Sequence, residues 1–487
     1  MILMNLILIL LVGGIAAWLC ESISTNAPKW VAVFSLIVAL YPLRTVLFNL
    51  DAITSDAWLI NESIPWISRF NISFHLAIDG LSLLLVLLTL TMGMVAVLAA
   101  WKEIKQRTGF FYFNLLWSLA GVVGVFCALD LFLFFVFWEV MLVPIYLLIA
   151  IWGYENRRYA AMKFFLFTQA GGLLMLLSIC AFVLLHYQQS GELTFNYLDL
   201  LQHKLSDQSA FWVMLGFFIA FAIKLPIVPF HNWLPDAHTQ APTAVSVILA
   251  AVLLKTGGYG LIRFVLTIFP EASYDIAPYV MAIAGFSVIY GALMAFSQQD
   301  LKRLVAYSSV SHMGFVLLGC YAFTVQAWQG AVMQMLAHGI STSALFALVG
   351  AIQYRYHTRS LKELGGLWQT IPKLSAVGIF FVIASLGMPG LGNFVAEFLV
   401  LIGSFATYPK LTVVATSGLI LAAIYSLVIA QKTFFGPLKL GNAIDLDNRE
   451  VLMMSSMAVL LIWMGLHPQP LIDLAQQTLN NFPLGVQ

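Results

Sequence analysis

Apolar runs of about 20 residues recur along this chain, separated by short polar connectors. Leu3 to Cys20, Gly80 to Ala100 and Val451 to Leu466 hold no charged residue. A helix rises about 1.5 Å per residue, so such a run crosses the roughly 30 Å hydrocarbon core of a bilayer. A helix also satisfies its own backbone hydrogen bonds, which lipid cannot do for it. Of 487 residues, 61% are hydrophobic and 9% charged, against roughly 45–50% and 25% in soluble domains. The expected fold is therefore an all-α polytopic membrane protein of about fourteen transmembrane helices. Candidate spans are 3–20, 29–49, 80–100, 110–129, 131–151, 162–186, 211–230, 243–267, 275–296, 304–322, 329–352, 374–405, 411–434 and 451–466.

Several function classes fall away. A net charge of +1 gives no footprint for nucleic acid. Cys20, Cys127, Cys180 and Cys320 lie in apolar segments with no CxxC spacing, so grouped thiolates for an iron–sulfur cluster are missing. There is no nucleotide-binding glycine motif in a fitting context. No cofactor is expected in this chain, and any redox energy must arrive from elsewhere. The N-terminal apolar stretch lacks the basic flank of a cleaved signal peptide and reads as a first retained span.

Loop charge sets orientation. Connectors after odd-numbered spans, with nearby helix ends, carry Lys102, Lys105, Arg107, Arg157, Arg158, Lys302, Arg303, Arg355, Arg359 and Lys362 among others; even ones carry only Arg44, Arg69, Lys204, Arg263 and Lys410. Odd connectors should face the cytoplasm and both termini the outside. Asp51, Asp56 and Glu62 in the long second loop suit an outer face.

Two spans look broken. The seventh holds Lys224-Leu225-Pro226-Ile227-Val228-Pro229, and the twelfth Gly387-Met388-Pro389-Gly390-Leu391-Gly392-Asn393. Proline removes a helix hydrogen bond and clashes with the preceding turn. In lipid such a break persists only where protein or water satisfies the freed groups. An odd spacing of five spans between the breaks fits two inverted five-helix repeats, an arrangement that points to a mid-membrane transport site. The expected division is an N-terminal three-helix segment (1–109), a first repeat (110–267), an inverted second repeat (275–434) and a C-terminal loop with a last span (435–487).

Ionisable residues inside the spans are the sharpest functional signal. Glu139, Lys224, Lys255 and Glu397 each sit in an apolar run. Even on the mild insertion scale a charge at the bilayer centre costs roughly 2.5–3.5 kcal/mol. These groups must pair, neutralise or line a wet cavity. Glu139 is expected to pair with Lys224, leaving Lys255 as a central carrier and Glu397 as the far terminus. A buried lysine that gains and loses an acid partner takes up and releases a proton. The bland alternative is an ion pair that only locks helices. His312 and His338, also inside spans, can relay protons or make an interhelical hydrogen bond. His231, Asp236 and His238 share one loop and match no standard zinc spacing; loop anchoring or a proton entry mouth suits them better.

The run from Lys224-Leu225-Pro226 through Trp233-Leu234-Pro235-Asp236-Ala237-His238-Thr239-Gln240-Ala241-Pro242-Thr243, together with Leu253-Leu254-Lys255-Thr256-Gly257-Gly258-Tyr259-Gly260, Asp300-Leu301-Lys302-Arg303-Leu304 and Phe137-Trp138-Glu139, resembles the antiporter-like subunits of proton-pumping NADH:quinone oxidoreductase, respiratory complex I. The resemblance covers nearly the whole chain. It is strongest to the M-type, or chain 4, branch, because Glu397 stands where related subunits usually carry lysine and the chain ends soon after its last span. It implies a coupling pair in Glu139 and Lys224, a central Lys255, an exit-side Glu397, and His312 and His338 on a connecting hydrophilic axis. It also implies a proton-translocating role in the membrane arm beside L-type and N-type antiporter-like subunits, in a bacterial inner membrane. Flavin and iron–sulfur clusters would belong to partner subunits, and this chain alone would catalyse no redox step. The alternatives are a subunit of a multi-subunit Na+/H+ antiporter, of a membrane-bound hydrogenase complex, or a quinone-binding or purely structural scaffold. A scaffold has no need of the four buried charges.

Overall fold

The computed structural model describes residues 1–44, 46, 58–202 and 204–479; Asp51 and Asp56 lie outside them. The described chain is almost entirely helical. In chain order the helices are α1 (Ile2–Leu19), α2 (Ala27–Leu40), α3 (Gly80–Glu103), α4 (Thr108–Cys127), α5 (Leu131–Trp152), α6 (Arg157–Ser190), α7 (Asp207–Lys224), α8 (Trp233–Gln240), α9 (Thr243–Ile268), α10 (Pro270–Ser297), α11 (Leu301–Cys320), α12 (Val325–Tyr356), α13 (Pro372–Ser385), α14 (Gly392–Thr407), α15 (Pro409–Thr433), α16 (Asn448–Leu466) and α17 (Gln469–Leu479). Among the described residues, 11 helices are long and apolar enough to cross a membrane, with shorter apolar helices at Ala27–Leu43, Pro372–Ser385 and Gly392–Thr407.

Burial sorts these helices into a centre and a periphery. The apolar window of α9 is 100% buried and that of α12 is 94%, against 33% for α15 and 28% for α16. In α11 every residue but Arg303 is buried, although Ser308, Ser309, Ser311 and His312 make it one of the more polar helices. Helices enclosed by other helices can carry polar groups that a lipid-facing helix cannot. Lys255, His312 and His338 sit on these three central helices. The outer helices instead present large apolar side chains such as Ile420, Leu427, Leu452 and Val459 to the surroundings.

Both expected breaks are present. The seventh span stops at Lys224 and resumes as α8. The Ile223 carbonyl that the break frees accepts from the Trp233 indole at 2.9 Å, and the Val228 amide donates to the Ser287 hydroxyl at 3.2 Å. The twelfth span divides into α13 and α14 around Gly387 (φ +77°) and Gly390 (φ +93°), a left-handed backbone that favours glycine. A third irregularity had no sequence signal. Helix α9 contains two π-helical turns, Leu249–Leu253 and Leu261–Val265, on either side of Lys255.

Between α2 and α3 lies an antiparallel hairpin, β1 (Ile60–Ile67) with β2 (Ile72–Ile78), turned through Asn71 at φ 53°. It is an addition to the all-helical expectation. At the same end a buried ion pair joins Arg263 of α9 to Asp79, the N-cap of α3. The opposite end is laced by Lys102–Asp447, Lys163–Asp236, Arg303–Asp236, Arg355–Glu450 and Arg359–Asp300. Lysines and arginines of the odd connectors thus gather at one end.

Candidate proton-carrying axis

Helix α9 supplies the middle of the site. Its Lys255 is completely buried, and its ammonium donates to the Ala250 carbonyl at 2.5 Å and to His338 Nδ1 at 2.8 Å. The wide turn at Leu249–Leu253 presents that carbonyl beside the side chain. With Nδ1 accepting, His338 carries its ring proton on Nε2, an atom with no hydrogen-bond partner. The His312 ring lies 5.5 Å away between centroids, at 61°.

His312 is held from both sides. Its Nδ1 lies 3.0 Å from Glu397 Oε1, and its Nε2 lies 3.1 Å from the Tyr425 hydroxyl of α15. Gln334 of α12 donates to the same Glu397 oxygen at 3.2 Å. Beside an ionised Glu397, the neutral imidazole donates from Nδ1 and accepts the Tyr425 proton at Nε2. Protonated at Nε2, it instead donates to the tyrosine oxygen. The ring therefore has partners in both charge states, which suits a relay more than a fixed clasp. Glu397 is 3% exposed, and Gly387 at the α13–α14 break faces it so closely that a Cβ there would sit 2.8 Å from Oε2.

Lys255, His338, His312 and Glu397 thus form one buried row from α9 across α12 and α11 to α14. The first half is looser. Lys224, 0% exposed, has no hydrogen-bond partner for its ammonium and rests 5.1 Å from the Trp138 ring and 5.6 Å from that of Phe164. Aromatic faces offset part of the cost of an enclosed cation. Glu139 is only half-buried; it takes a hydrogen bond from Gln169 of α6, and its Oε1 is unpartnered. Glu139 and Lys224, expected to pair, make no direct ion-pair contact in this structure. The two interact through their charges alone, because Lys224 ends its helix at the break while Glu139 leans on α6, where Gly172 leaves it room.

Among the described residues no His, Cys, Asp or Glu cluster could hold a metal. The trio His231, Asp236 and His238 disperses. Asp236 is held by Lys163 at 2.6 Å and Arg303 at 3.3 Å, which is loop anchoring. His231 edges onto Tyr290, and His238 stacks on Phe346. Sequence reasoning missed Tyr425 and Gln334, ordinary polar residues in apolar helices. It also counted Arg263 only as a charge near an outer helix end, although it is 3% exposed and paired with Asp79. An arginine inside an otherwise apolar run was the available signal.

Comparison with known proteins agrees with this architecture. Residues 128–424 match the family model described as NADH:quinone oxidoreductase/Mrp antiporter, TM. The chain is 50% identical over 493 residues to NADH-quinone oxidoreductase subunit M of Pseudomonas aeruginosa, covering 99% of this chain and 97% of that one. It is 49% identical to the Escherichia coli K12 protein of the same name, with the same two coverages of 99% and 97%. A chain of respiratory complex I from Thermus thermophilus superposes with a TM-score of 0.86 at 30% identity, over 98% of this chain and 100% of that one.

Proposed function

This chain belongs to the NADH:quinone oxidoreductase/Mrp antiporter transmembrane family, in its subunit M branch, and on that premise we propose that it carries protons across the membrane within the membrane arm of an NADH-quinone oxidoreductase. The observation that carries the reading is the buried row Lys255–His338–His312–Glu397, hydrogen-bonded at both ends and in ring contact between the two histidines. A lysine amine, two imidazoles and a carboxylate can each hold and release one proton. A proton from the Lys255 ammonium passes to His338 Nδ1, and the one displaced from His338 Nε2 moves on to His312. His312 delivers its Nδ1 proton to Glu397. Electrons and quinone are handled by other subunits. Lys224, with Glu139 within electrostatic range, is the control point of the first half. Its ammonium has no fixed partner, so a shift of Glu139 toward or away from it changes how well it holds its proton.

In this reading the eleven long helices, α2, α11 and the broken pair α13–α14 make fourteen passes, grouped as 1–109, 110–267, 275–434 and 435–487. The basic end faces the cytoplasm, and both termini face the outside of a bacterial inner membrane. L-type and N-type antiporter-like subunits are its neighbours, and flavin and iron–sulfur clusters reside elsewhere in the assembly. Glu397 as the terminal acid favours this role over that of a Na+/H+ antiporter or hydrogenase subunit.

The test is Glu397→Gln in the intact complex reconstituted into vesicles. Amide keeps the shape and cannot ionise. NADH-driven proton pumping should fall by roughly a hundredfold or more, the lower end of the range for losing one acid–base group, while assembly is retained. Wild-type pumping by assembled E397Q would overturn the assignment.

A further inference from the structure

Helices α1 and α2 carry none of the proton-carrying residues, yet an apolar groove runs between them. The two helices close at Gly13 and Ser35, where a Cβ on the glycine would sit 2.2 Å from the serine hydroxyl oxygen. Around that floor stand Leu8, Ile9, Val12, Ala16, Phe34 and Val38, and the groove holds about 540 Å³. Val12 and Phe34 are 61% and 67% exposed. Apolar walls left open in this way mark a binding surface for another apolar molecule.

One end of the groove is polar. Asn5, Tyr41 and Pro42 bound it there. This is the hairpin end, because the Leu3 amide donates to the Glu62 carboxylate of β1 at 3.2 Å. Two residues past Pro42, the exposed Arg44 lays its guanidinium on the Tyr41 ring at 3.9 Å. It pairs with no acid among the described residues, so its N–H groups are free to bind. Between Lys29 and Arg44 the chain holds no charge. A tyrosine and an arginine at the end of an apolar stretch suit the level of the lipid headgroups.

The dimensions select the occupant. From Asn5 to Ala16 the groove follows α1 for about 17 Å at 1.5 Å per residue. One leaflet of hydrocarbon is about 15 Å deep, half of the roughly 30 Å core. Spread over that length, the volume gives a mean cross-section of roughly 30 Å², under half that of a helix about 10 Å across. A membrane-crossing helix of a partner is therefore too wide, and it would run the full depth of the core. A polymethylene chain, with carbons in contact at about 4 Å, suits both width and length. The guanidinium at the mouth matches the phosphate that such a chain would bring, since its planar fork binds phosphate through two parallel N–H groups.

We infer that the α1–α2 groove is a phospholipid site, holding one acyl chain from the leaflet at the hairpin end with its phosphate bound by Arg44. The site needs no residue of the proton axis. It fills the space where α1 and α2 part and fixes both helices to that leaflet.

The experiment places the assembled complex in vesicles of phosphatidylethanolamine and phosphatidylglycerol. A trace of phosphatidylglycerol carries a photoactivatable diazirine midway along one acyl chain. After illumination and digestion, mass spectrometry locates the label. The lipid-exposed faces of α15 and α16 are the control, since Ile420 and Leu452 are 66% and 68% exposed, much as Val12 and Phe34 are. Labelling of the groove walls should exceed that of the control faces several-fold. Arg44→Gln should lower the groove labelling about fivefold, the effect of one basic residue holding an anionic headgroup at a membrane surface. Val38→Trp, which fills the groove and keeps Arg44, should abolish the excess. Equal labelling of groove and control faces means ordinary bulk lipid and overturns the site. A groove labelled less than the controls means that protein covers it, which overturns it too. Unchanged labelling in R44Q overturns the phosphate assignment, and unchanged labelling in V38W overturns the groove. Should a variant fail to assemble, the wild-type comparison of groove against control faces still decides.

Discussion

At the scale of single residues, the acids of the two halves share a device. Glu139 and Glu397 each abut a glycine, Gly172 on α6 and Gly387 at the α13–α14 break, and a Cβ at either would press on a carboxylate oxygen at 2.6 or 2.8 Å. Gly387 also needs its left-handed backbone, so Gly172 is the cleaner probe. Alanine suits a helix interior better than glycine, and the only atom closer than 3.4 Å is the movable end of Glu139. Gly172→Ala should therefore spare assembly while displacing the carboxylate. Misplacing a reacting group by about 1 Å costs up to roughly a hundredfold, so a drop in pumping of about tenfold or more is expected. Vesicle pumping assays decide this, and an unchanged rate would show that Glu139 tolerates displacement.

Among elements, the break after Lys224 depends on one indole. Trp233 is fully buried and donates to the Ile223 carbonyl, while Gly257 of α9 packs so closely that a Cβ would lie 2.7 Å from the Leu225 amide nitrogen and the Phe221 carbonyl oxygen. Break, central helix and Lys255 thus form one rigid unit, which keeps Lys224 and Lys255 in a fixed relation. Trp233→Phe keeps most of the ring volume and removes the donor. It should lower stability by about 1–3 kcal/mol for an orphaned buried carbonyl, seen as a lower melting midpoint of the purified assembly. An unchanged midpoint would mean that something else satisfies Ile223.

For the whole molecule, the Asp79–Arg263 pair joins the hairpin end of α3 to the last turns of α9, with 3% and 4% of the two side chains exposed. Removing one partner of a buried pair leaves an uncompensated charge, at a cost of about 3–5 kcal/mol. Arg263→Met should accordingly reduce the amount of assembled complex. Adding Asp79→Asn removes the stranded charge and keeps an acceptor for the Ser82 amide that Asp79 now caps. The double variant should then recover part of the loss on native gels. Recovery absent from the double variant would mean that the pair acts through geometry and not through charge balance.

The sequence alone determined what is local. Apolar run length placed the helices, Pro226, Pro229, Pro389 and their glycines placed the two breaks, and a charge inside a run marked Glu139, Lys224, Lys255 and Glu397 as costly. It left the hairpin unread, since two short strands in a polar loop carry little periodic signal. It could not choose partners either. Helices that are apolar nearly all round show no face, and nothing in their pattern says which neighbour each one meets. His312 finds Glu397 85 residues away and Tyr425 113 residues away. Glu139 and Lys224, read as a coupling pair, interact through charge without an ion-pair contact, and Arg263, read as a charge near a helix end, is locked to Asp79. Those outcomes belong to the tertiary structure, because an ion in a low-dielectric interior takes whichever partner the packing of whole helices brings within reach.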